Sequence, residues 1–274
     1  MIVRSYLDRI GVTEDIRPDL EGLRTLHRAH LLAIPYENLD VQLGRPVTID
    51  IAPIYEKIVE RRRGGWCYEM NGLFDWALGE LGFQVTRMAS GVMREAFGDF
   101  TIGNHLVLQV ELPEGLYLAD VGFGDGSLVP MKLAPGEFRD GRFGFALSHP
   151  AEGWWRFHNH PDGGAKSFDF QLGIADENLL AEKCRLLQSW EESIFVQNLI
   201  CQRHTPDGLT ALRGRVLRNI TPAGLQDRLL NSPEELVSVL RSDFDLDVPE
   251  AASLWPKVLA RHAVLFGEAD TKAS

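Results

Sequence analysis

The amino-acid sequence predicts an α+β protein whose chain changes from helices to strands near residue 83. Apolar residues recur at helical spacing over residues 1–82. Between residues 83 and 190 they alternate with polar residues in short segments that are separated by Gly- and Pro-containing turns. From residue 195 onward the helical and strand patterns are mixed. The 274 residues suffice for one large domain or for two to three small ones.

The helical region contains three amphipathic patterns. The first covers residues 20–31, and the second covers residues 51–59 and is expected to end at Gly64 and Gly65. The third begins near Cys67 and is expected to stop at Gly82, because glycine commonly terminates helices. These patterns predict a helical first part of the chain.

The strand region is clearest at residues 105–121. Leu106, Leu108, Val110 and Leu112 share one face, residues 113–115 form a turn, and residues 117–121 return as the second strand. The repeated turns predict an antiparallel sheet or an open barrel. Further on, residues 212–217 are expected to form a strand, and Ser232 followed by a proline is expected to begin a helix.

Composition and charge exclude several classes of function. Hydrophobic residues make up 45% and charged residues 24%, which is typical of a soluble globular protein. The formal net charge of −11 disfavours general binding to nucleic acid or to anionic membranes. No apolar run reaches about 18 residues, and the first residues lack a basic segment followed by an apolar one. Three widely spaced cysteines indicate a reducing compartment, so we expect a cytoplasmic protein without disulfides.

Cys67 is the strongest candidate for a reactive group. It follows two glycines and a tryptophan at the start of a predicted helix, where the helix dipole and unpaired N–H groups favour a thiolate. The glycines are expected to keep bulk away from the sulfur. Cys184 and Cys201 lack such a setting and are interpreted as structural residues.

His105 and Asp120 are candidates for a base and the group that orients it. Asp120 lies in an otherwise apolar strand, and a buried carboxylate needs a partner. A cysteine nucleophile needs a base and an orienting carboxylate. A regular hairpin does not place His105 directly opposite Asp120, so the sequence leaves their contact open.

Other polar segments give weaker signals. Residues 122–127 contain alternating glycines whose N–H groups could face a phosphate, although a plain loop is the alternative. His158 and His160 have the spacing of metal ligands without a nearby third ligand, so no metal is expected. Four cations could supply positive charge to a phosphate, although surface charge is the default interpretation of each: Lys166, Arg203, Arg213 and Arg215.

Four segments in the same order resemble conserved segments of the arylamine N-acetyltransferases. Residues 63–71 read RGGWCYEMN and match the family pattern RGGxCxExN, and residues 34–39 read IPYENL, which is similar to (I/V)P(F/Y)ENL. Residues 104–106 (NHL) and 120–124 (DVGFG) resemble the histidine and aspartate segments of the family.

The resemblance implies a three-part fold with a core like that of cysteine proteases. A helical bundle at residues 1–82 would carry the nucleophile, a β-barrel with an interdomain segment at residues 83–194 would carry the histidine and aspartate, and residues 195–274 would form an α/β lid. It also implies a catalytic triad of Cys67, His105 and Asp120, and a structural ion pair between Glu37 and Arg63.

The resemblance further implies binding sites and an activity. Coenzyme A would lie at Gly124, Gly126 and Ser127, and the acceptor would lie at Phe123 and Tyr36. Acetyl-CoA would donate an acetyl group to an arylamine, arylhydrazine or hydrazide in a ping-pong reaction, in the context of xenobiotic metabolism and in a monomer or homodimer. Two alternatives stay open: an amide synthase of a biosynthetic pathway on the same fold, and a cysteine peptidase or transglutaminase-like enzyme.

Overall fold

Helices form most of the first 82 residues, as predicted. The computed structural model of the protein describes residues 1–267. The first elements in chain order are α1 (Val3–Ile10), α2 (Leu20–Ala33), β1 (Tyr36–Glu37), α3 (Leu39–Gln42), α4 (Ile51–Tyr55) with a π-helical turn at Glu56–Glu60, and α5 (Cys67–Glu80).

The ends of these helices match the sequence prediction unevenly. α5 begins at Cys67, and Gly82 just beyond it has a φ of +88°, so both of its predicted ends are confirmed. The helical segment before it ends at Glu60 rather than at the glycine pair. Arg62 already adopts a left-handed backbone with a φ of 53°, which carries the chain out of the helix before Gly64 is reached.

Among the described residues, eight antiparallel strands form the large sheet. The elements of residues 83–199 are β2 (Gln84–Val92), α6 (Arg94–Phe97), a 3₁₀ turn at Gly98–Thr101, β3 (His105–Leu112), β4 (Gly115–Ala119), β5 (Met131–Lys132), β6 (Gly136–Asp140), β7 (Phe143–Ala151), β8 (Trp154–His158), β9 (Ser167–Phe170), α7 (Glu177–Ser189) and α8 (Ile194–Gln197). The strand order is β5-β4-β3-β2-β9-β8-β7-β6. The antiparallel sheet is confirmed, and because β5 and β6 are its two edges it is open, in line with the prediction of an antiparallel sheet or an open barrel.

A second antiparallel sheet joins the beginning of the chain to its last third. Its elements and those that follow are β10 (Ile200–Thr205), β11 (Gly208–Arg213), β12 (Val216–Thr221), β13 (Gly224–Leu229), α9 (Pro233–Phe244), a 3₁₀ helix at Pro249–Leu254 and α10 (Trp255–Phe266). β1 pairs with β10 at its edge, so Tyr36 lies opposite Gln202. Residues 268–274 of the predicted third part lie outside the described residues.

Two predictions for this region had different outcomes. Residues 212–217 do not form one strand, because they contain the turn between β11 and β12 in which Gly214 has a φ of +60°. The predicted start of α9 is confirmed, since the Ser232 side chain accepts a hydrogen bond from Glu235 N and Pro233 occupies the first turn.

Both faces of the β3–β4 hairpin are covered. On one face Leu106 and Leu108 pack with Phe74 of α5 in the core that includes the N-terminal helices. On the other face Val107 and Leu118 belong to an aromatic-rich core of the large sheet. The two faces of this hairpin are therefore buried, one against the helices and the other within the core of the large sheet. Within residues 1–267, no helix has both the length and the apolarity that crossing a membrane requires.

Candidate active site

Cys67 is the first residue of α5. Trp66 before it is extended, so the chain turns sharply into the helix at the thiol, which is 2% exposed. A Cβ on Gly64 would lie 2.1 Å from the carbonyl oxygen of Pro35, and one on Gly65 would lie 2.8 Å from Cβ of Glu69. The glycines are therefore needed for close packing behind the helix, not to clear space around the sulfur as predicted.

His105 and Asp120 are in direct contact. Nε2 of His105 lies 2.7 Å from Oδ2 of Asp120. The other carboxylate oxygen accepts hydrogen bonds from Nδ2 of Asn71 at 2.8 Å and from the N–H of Gly122 at 2.9 Å. Because Nε2 is bound to Asp120, Nδ1 is the ring nitrogen of His105 that remains for proton transfer.

The register of the hairpin explains a contact that the sequence leaves open. Leu108 is paired with Ala119, so the pairing would place Val107 opposite Asp120 and not His105. Asp120 lies just beyond the end of β4 rather than within the strand as predicted. His105 and Asp120 are therefore diagonal neighbours on one face, and their side chains are long enough to meet across that diagonal.

The thiol of Cys67 lies beside the segments that carry these two residues. Its Sγ is 3.9 Å from the carbonyl oxygen of Asn104, the residue directly before His105. A Cβ on Gly122, two residues after Asp120, would lie 2.8 Å from Cα of Cys67. The structure thus brings together the three residues that the sequence singled out for nucleophilic chemistry.

The pKa values of the two acidic groups of the site shift in opposite directions. It raises the pKa of the Cys67 thiol well above its usual value, and the N–H groups of Leu106 and Tyr68 only partly oppose it. Burial also acts to raise the pKa of Asp120, but His105, Asn71 and Gly122 outweigh it and hold that pKa below its usual range. An isolated thiolate is thus disfavoured, contrary to the expectation from the helix start alone, and the thiol can ionise readily only if its proton passes to His105.

An ion-pair network lies behind the start of α5, as expected. Arg63 binds Glu37 at 2.7 Å and Asp40 at 3.2 Å. Lys57 binds Asp40 and Glu69, each at 2.9 Å. Oε2 of Glu69 also accepts the N–H of Trp66 at 3.2 Å, so this network holds the turn that presents Cys67.

Comparisons with known proteins identify the family. A profile of the N-acetyltransferase family matches residues 19–253. The chain is 31% identical to a pineal gland arylamine N-acetyltransferase isozyme of Gallus gallus, over 90% of this chain and 94% of the relative. It is also 31% identical to the arylamine N-acetyltransferase of Escherichia coli (strain K12), over 91% of this chain and 90% of the relative. The chain belongs to the arylamine N-acetyltransferase family.

Solved structures of arylamine N-acetyltransferases share the fold. An enzyme of Mycobacterium smegmatis superposes with a TM-score of 0.86 at 30% identity, covering 94% of this chain and 97% of that one. The Mycobacterium marinum enzyme in complex with CoA gives 0.85 at 29% identity, covering 95% and 98%. The family is one of acyltransferases, which sets aside the alternative of a cysteine peptidase or transglutaminase-like enzyme.

The glycine-containing loop of this N-acetyltransferase has a row of available donors. Within residues 1–267, the backbone N–H groups of residues 123–127 donate to no protein acceptor. The hydroxyl of Ser127 donates to Val129 O at 2.8 Å and accepts from Val129 N, so the side chain itself is engaged. The loop therefore presents backbone donors, which suit an anion, rather than a free hydroxyl.

Asp125 does not oppose an anion at this loop in the way its charge suggests. Its buried carboxylate points inward and accepts hydrogen bonds from Nδ2 of Asn159 at 3.0 Å and from the N–H of Gly164 at 2.6 Å. Nε2 of Gln202 lies 3.4 Å away. Burial raises the pKa of this carboxyl, which favours its neutral form. Asp125 thus anchors the loop to the segment after β8 and to β10.

Phe123 and Tyr36 line the same region. The Phe123 ring is 5.4 Å from the His105 ring and 5.1 Å from the Phe168 ring. A Cβ on Gly124 would lie 3.4 Å from the Tyr36 ring. Tyr36 forms a β-bridge with Gly65, two residues before Cys67, and burial raises the pKa of its phenol. The two predicted acceptor residues therefore both border the Cys67 region.

Three of the four cations that the sequence suggested as phosphate partners bind elsewhere, and the fourth, Arg213, is exposed. Nζ of Lys166 donates to Pro161 O, and Nε of Arg203 donates to Leu32 O. Arg215 is buried with Nε donating to Leu230 O, so its interpretation as surface charge is wrong. Arg213 lies at the end of β11, and partial burial lowers its pKa. None of these contacts links a cation to residues 122–127.

Sequence reasoning assigned no role to two residues that hold Asp120. Nδ2 of Asn71 bonds the carboxylate, and Oδ1 of Asn71 accepts the N–H of Val121 at 2.9 Å. Nε2 of His27 accepts the N–H of Asp120 at 3.2 Å. The one available signal was a histidine on the apolar face of α2, a buried polar side chain that needs a partner. Cys184 and Cys201 are buried, in keeping with a structural role.

Proposed function

We propose that the protein transfers an acetyl group from acetyl-CoA to the nitrogen of arylamines, arylhydrazines or hydrazides through an acetyl-Cys67 intermediate. The observation that carries this proposal is that Cys67, at the start of α5, lies beside the segments that carry the hydrogen-bonded pair of His105 and Asp120. Family membership supports the reaction class, and the CoA complex of the Mycobacterium marinum relative supports the donor.

The first half-reaction forms the acetyl-enzyme. The Cys67 proton passes to Nδ1 of His105 as Sγ attacks the acetyl carbonyl carbon. The C–S bond to coenzyme A then breaks, and His105 returns the proton to the leaving thiolate, so free coenzyme A departs. One thioester replaces another, so the energies of reactant and intermediate stay close. The N–H groups of Leu106 and Tyr68, which face the sulfur, are candidate donors to the oxyanion.

The second half-reaction releases the amide. The amine nitrogen attacks the acetyl carbon on Cys67 and gives its proton to His105. The C–S bond breaks, and the thiolate that forms recovers the proton from His105. Asp120 keeps the imidazole oriented and stabilises the imidazolium in both halves. No group outside the two substrates is consumed, so atoms and charges balance.

The substrate contacts are assigned by the same reasoning. Backbone N–H groups at Gly124, Gly126 and Ser127 bind the phosphates of coenzyme A, because this loop offers free donors beside the thiol. Phe123 and Tyr36 contact the aromatic acceptor, since both rings border the Cys67 region. No metal takes part in these steps.

The three predicted parts divide this work. Residues 1–82 supply Cys67, residues 83–194 supply His105 and Asp120, and the part from residue 195 acts as a lid that keeps water from the acetyl-enzyme. We place the protein in the cytoplasm, as a monomer or homodimer, with a role in the metabolism of foreign amines. A biosynthetic amide synthase remains the alternative on this fold.

Steady-state kinetics test the proposal. Double-reciprocal plots against arylamine at several fixed acetyl-CoA concentrations should give parallel lines, because coenzyme A leaves before the amine reacts. Release of coenzyme A should be slow without amine and should rise sharply when an arylamine or hydrazide is added. Intersecting lines would contradict the acetyl-enzyme and indicate direct transfer. Reaction with a longer acyl thioester but not with acetyl-CoA would favour the amide synthase.

A further inference from the structure

His27 binds both ends of the segment that runs from Asp120 to the proposed coenzyme A loop. Nδ1 of His27 lies 3.0 Å from the carbonyl oxygen of Leu128, and the N–H of Asp120 lies 3.2 Å from Nε2. Leu128 directly follows Ser127. The His27 imidazole on α2 therefore holds both Asp120, which orients His105, and Leu128, which ends the loop.

The two partners determine the protonation state of this ring. A carbonyl oxygen only accepts and a backbone N–H only donates, so Nδ1 carries the proton and Nε2 carries none. A protonated ring would present an N–H to the N–H of Asp120, and that hydrogen bond would be lost. The hydrogen-bonding function of His27 thus requires the neutral imidazole.

The surroundings keep the ring neutral. His27 is 1% exposed, and its ring meets the Phe74 ring edge-on at 5.8 Å. Asp120, His30 and His204 are the titratable groups near it. Burial lowers the pKa of His27 to about 4, against the opposing pull of Asp120. The ring therefore stays uncharged at neutral pH.

We propose that His27 is a positioning residue for acetyl transfer, which as a neutral imidazole holds the backbone of Asp120 so that its carboxylate meets His105. This inference rests on the proposed function of the His105–Asp120 pair. The Asp120 carboxylate is aligned by Asn71 and Gly122, whereas among residues 1–267 its backbone N–H is held from outside the hairpin by His27 alone. A histidine that merely filled the core would not affect the chemistry beyond its effect on stability.

Two amide variants separate the two hydrogen bonds. In His27→Gln the amide oxygen can occupy the Nε2 position and accept from Asp120. In His27→Asn the shorter amide can occupy only the Nδ1 position and donate to Leu128. Both are polar and cannot become charged near neutral pH, so they differ chiefly in which bond survives.

His30 provides matched controls on the same helix. It is fully buried, its ring meets Phe74 at 5.5 Å, and its Nδ1 binds the hydroxyl of Tyr6 rather than the site. His30→Gln and His30→Asn should therefore lose stability as the His27 variants do, while their chemistry is retained.

The measurements are the rate of Cys67 acetylation by acetyl-CoA in a single turnover, the rate of Cys67 alkylation by iodoacetamide, and the thermal midpoint. His27→Asn should be acetylated about tenfold more slowly or worse, because the Asp120 N–H loses its buried acceptor. His27→Gln and both His30 variants should stay within about threefold of the unmodified protein.

The proposal is overturned if His27→Asn reacts as fast as His27→Gln, or if all four rates simply follow the folded fraction. If His27→Asn does not fold, the proposal is overturned instead by a tenfold slower acetylation of Cys67 in a stable His27→Gln variant. Failure of acetyl-CoA to acetylate the unmodified protein would refute the proposed function alone. Alkylation by iodoacetamide needs no acetyl-CoA, so it would still test whether His27 positions the pair.

Discussion

Two buried carboxylates near the start of α5 are held in different ways. Glu37 is bound by the permanently charged Arg63, through Nη2 at 2.7 Å and Nε at 3.1 Å. Asp120 is bound by His105, Asn71 and the N–H of Gly122, and none of these is a permanent cation. The negative charge of Glu37 is thus always balanced by Arg63. The negative charge of Asp120 is fully balanced only when His105 is protonated. The permanent pairing of Glu37 with Arg63 is typical of a structural role. The pairing of Asp120 with a residue that can gain and lose a proton is typical of a catalytic role.

Removing the charge of Asp120 should have the largest effect on catalysis. Asp120→Asn keeps the size of the side chain but cannot stabilise the imidazolium, so kcat should fall by about 10³- to 10⁴-fold. Thermal unfolding should show a small change, because the amide can still take part in hydrogen bonds. Steady-state assays with an arylamine and acetyl-CoA measure the first effect. A loss of less than tenfold would show that Asp120 does not orient the base.

The matched change in the other carboxylate should affect stability instead. Glu37→Gln leaves the guanidinium of Arg63 with Asp40 as its remaining carboxylate, which should lower the free energy of unfolding by about 3 kcal/mol. The kcat per folded molecule should stay within about threefold. Urea titration followed by activity measurements checks both values. A loss of kcat as large as that of Asp120→Asn would show that Glu37 matters for catalysis as much as Asp120 does.

The pH dependence of Cys67 reactivity should reveal the role of His105. Burial raises the pKa of the thiol. In His105→Gln the proton must pass to water, so alkylation should become fast only well above the free-thiol pKa of about 8.5. The unmodified protein should react rapidly at neutral and mildly acidic pH, because the thiolate forms together with the imidazolium. The lowered pKa of Asp120 keeps its charge over this range.

Identical pH profiles for the two proteins would contradict this coupling. The measurement is the second-order rate constant with iodoacetamide between pH 5 and pH 10, with the adduct assigned to Cys67 by peptide mapping. Cys184 serves as the internal reference, since burial raises its pKa to about 12 and it should stay unmodified in both proteins.

An exposed ion pair should give the smallest effect. Arg218 and Asp227 bind each other across β12 and β13 at 2.7 Å, and each side chain is about two-fifths exposed. Solvent and salt screen such a pair, so Asp227→Asn should change the free energy of unfolding by about 0.5 kcal/mol or less, with kcat unchanged. If Asp227→Asn lowered the free energy of unfolding as much as Glu37→Gln, burial would not explain the strength of the Glu37 contact.

Local patterns predicted the elements that carry the site. The alternation at residues 105–112 predicted β3 with its observed bounds, and the glycine pair before Cys67 preceded the start of α5. The pattern at residues 212–217 misled because its apolar ends, Leu212 and Leu217, belong to two paired strands, and Gly214 makes the turn between them.

Contacts between distant segments could not be read in the same way. His105 meets Asp120 diagonally, which depends on a register that sequence periodicity does not specify. His27 lies 93 residues from Asp120, and Asn71 lies 49 residues from it, and both come from helices packed against the end of the hairpin. Their roles follow from tertiary packing, and the signal that the sequence offered for His27 was a polar side chain on the apolar face of α2 that would need a partner.

Detection of an acetyl group on Cys67 tests the proposed reaction most directly. The protein is mixed with acetyl-CoA, quenched and digested, and the peptide that contains Cys67 is weighed by mass spectrometry before and after an arylamine is added. We expect one acetyl group on Cys67, its disappearance with the amine as N-acetylated product forms, and no adduct in Cys67→Ala. Transfer to the arylamine at an undiminished rate in Cys67→Ala would show that Cys67 does not carry the acetyl group.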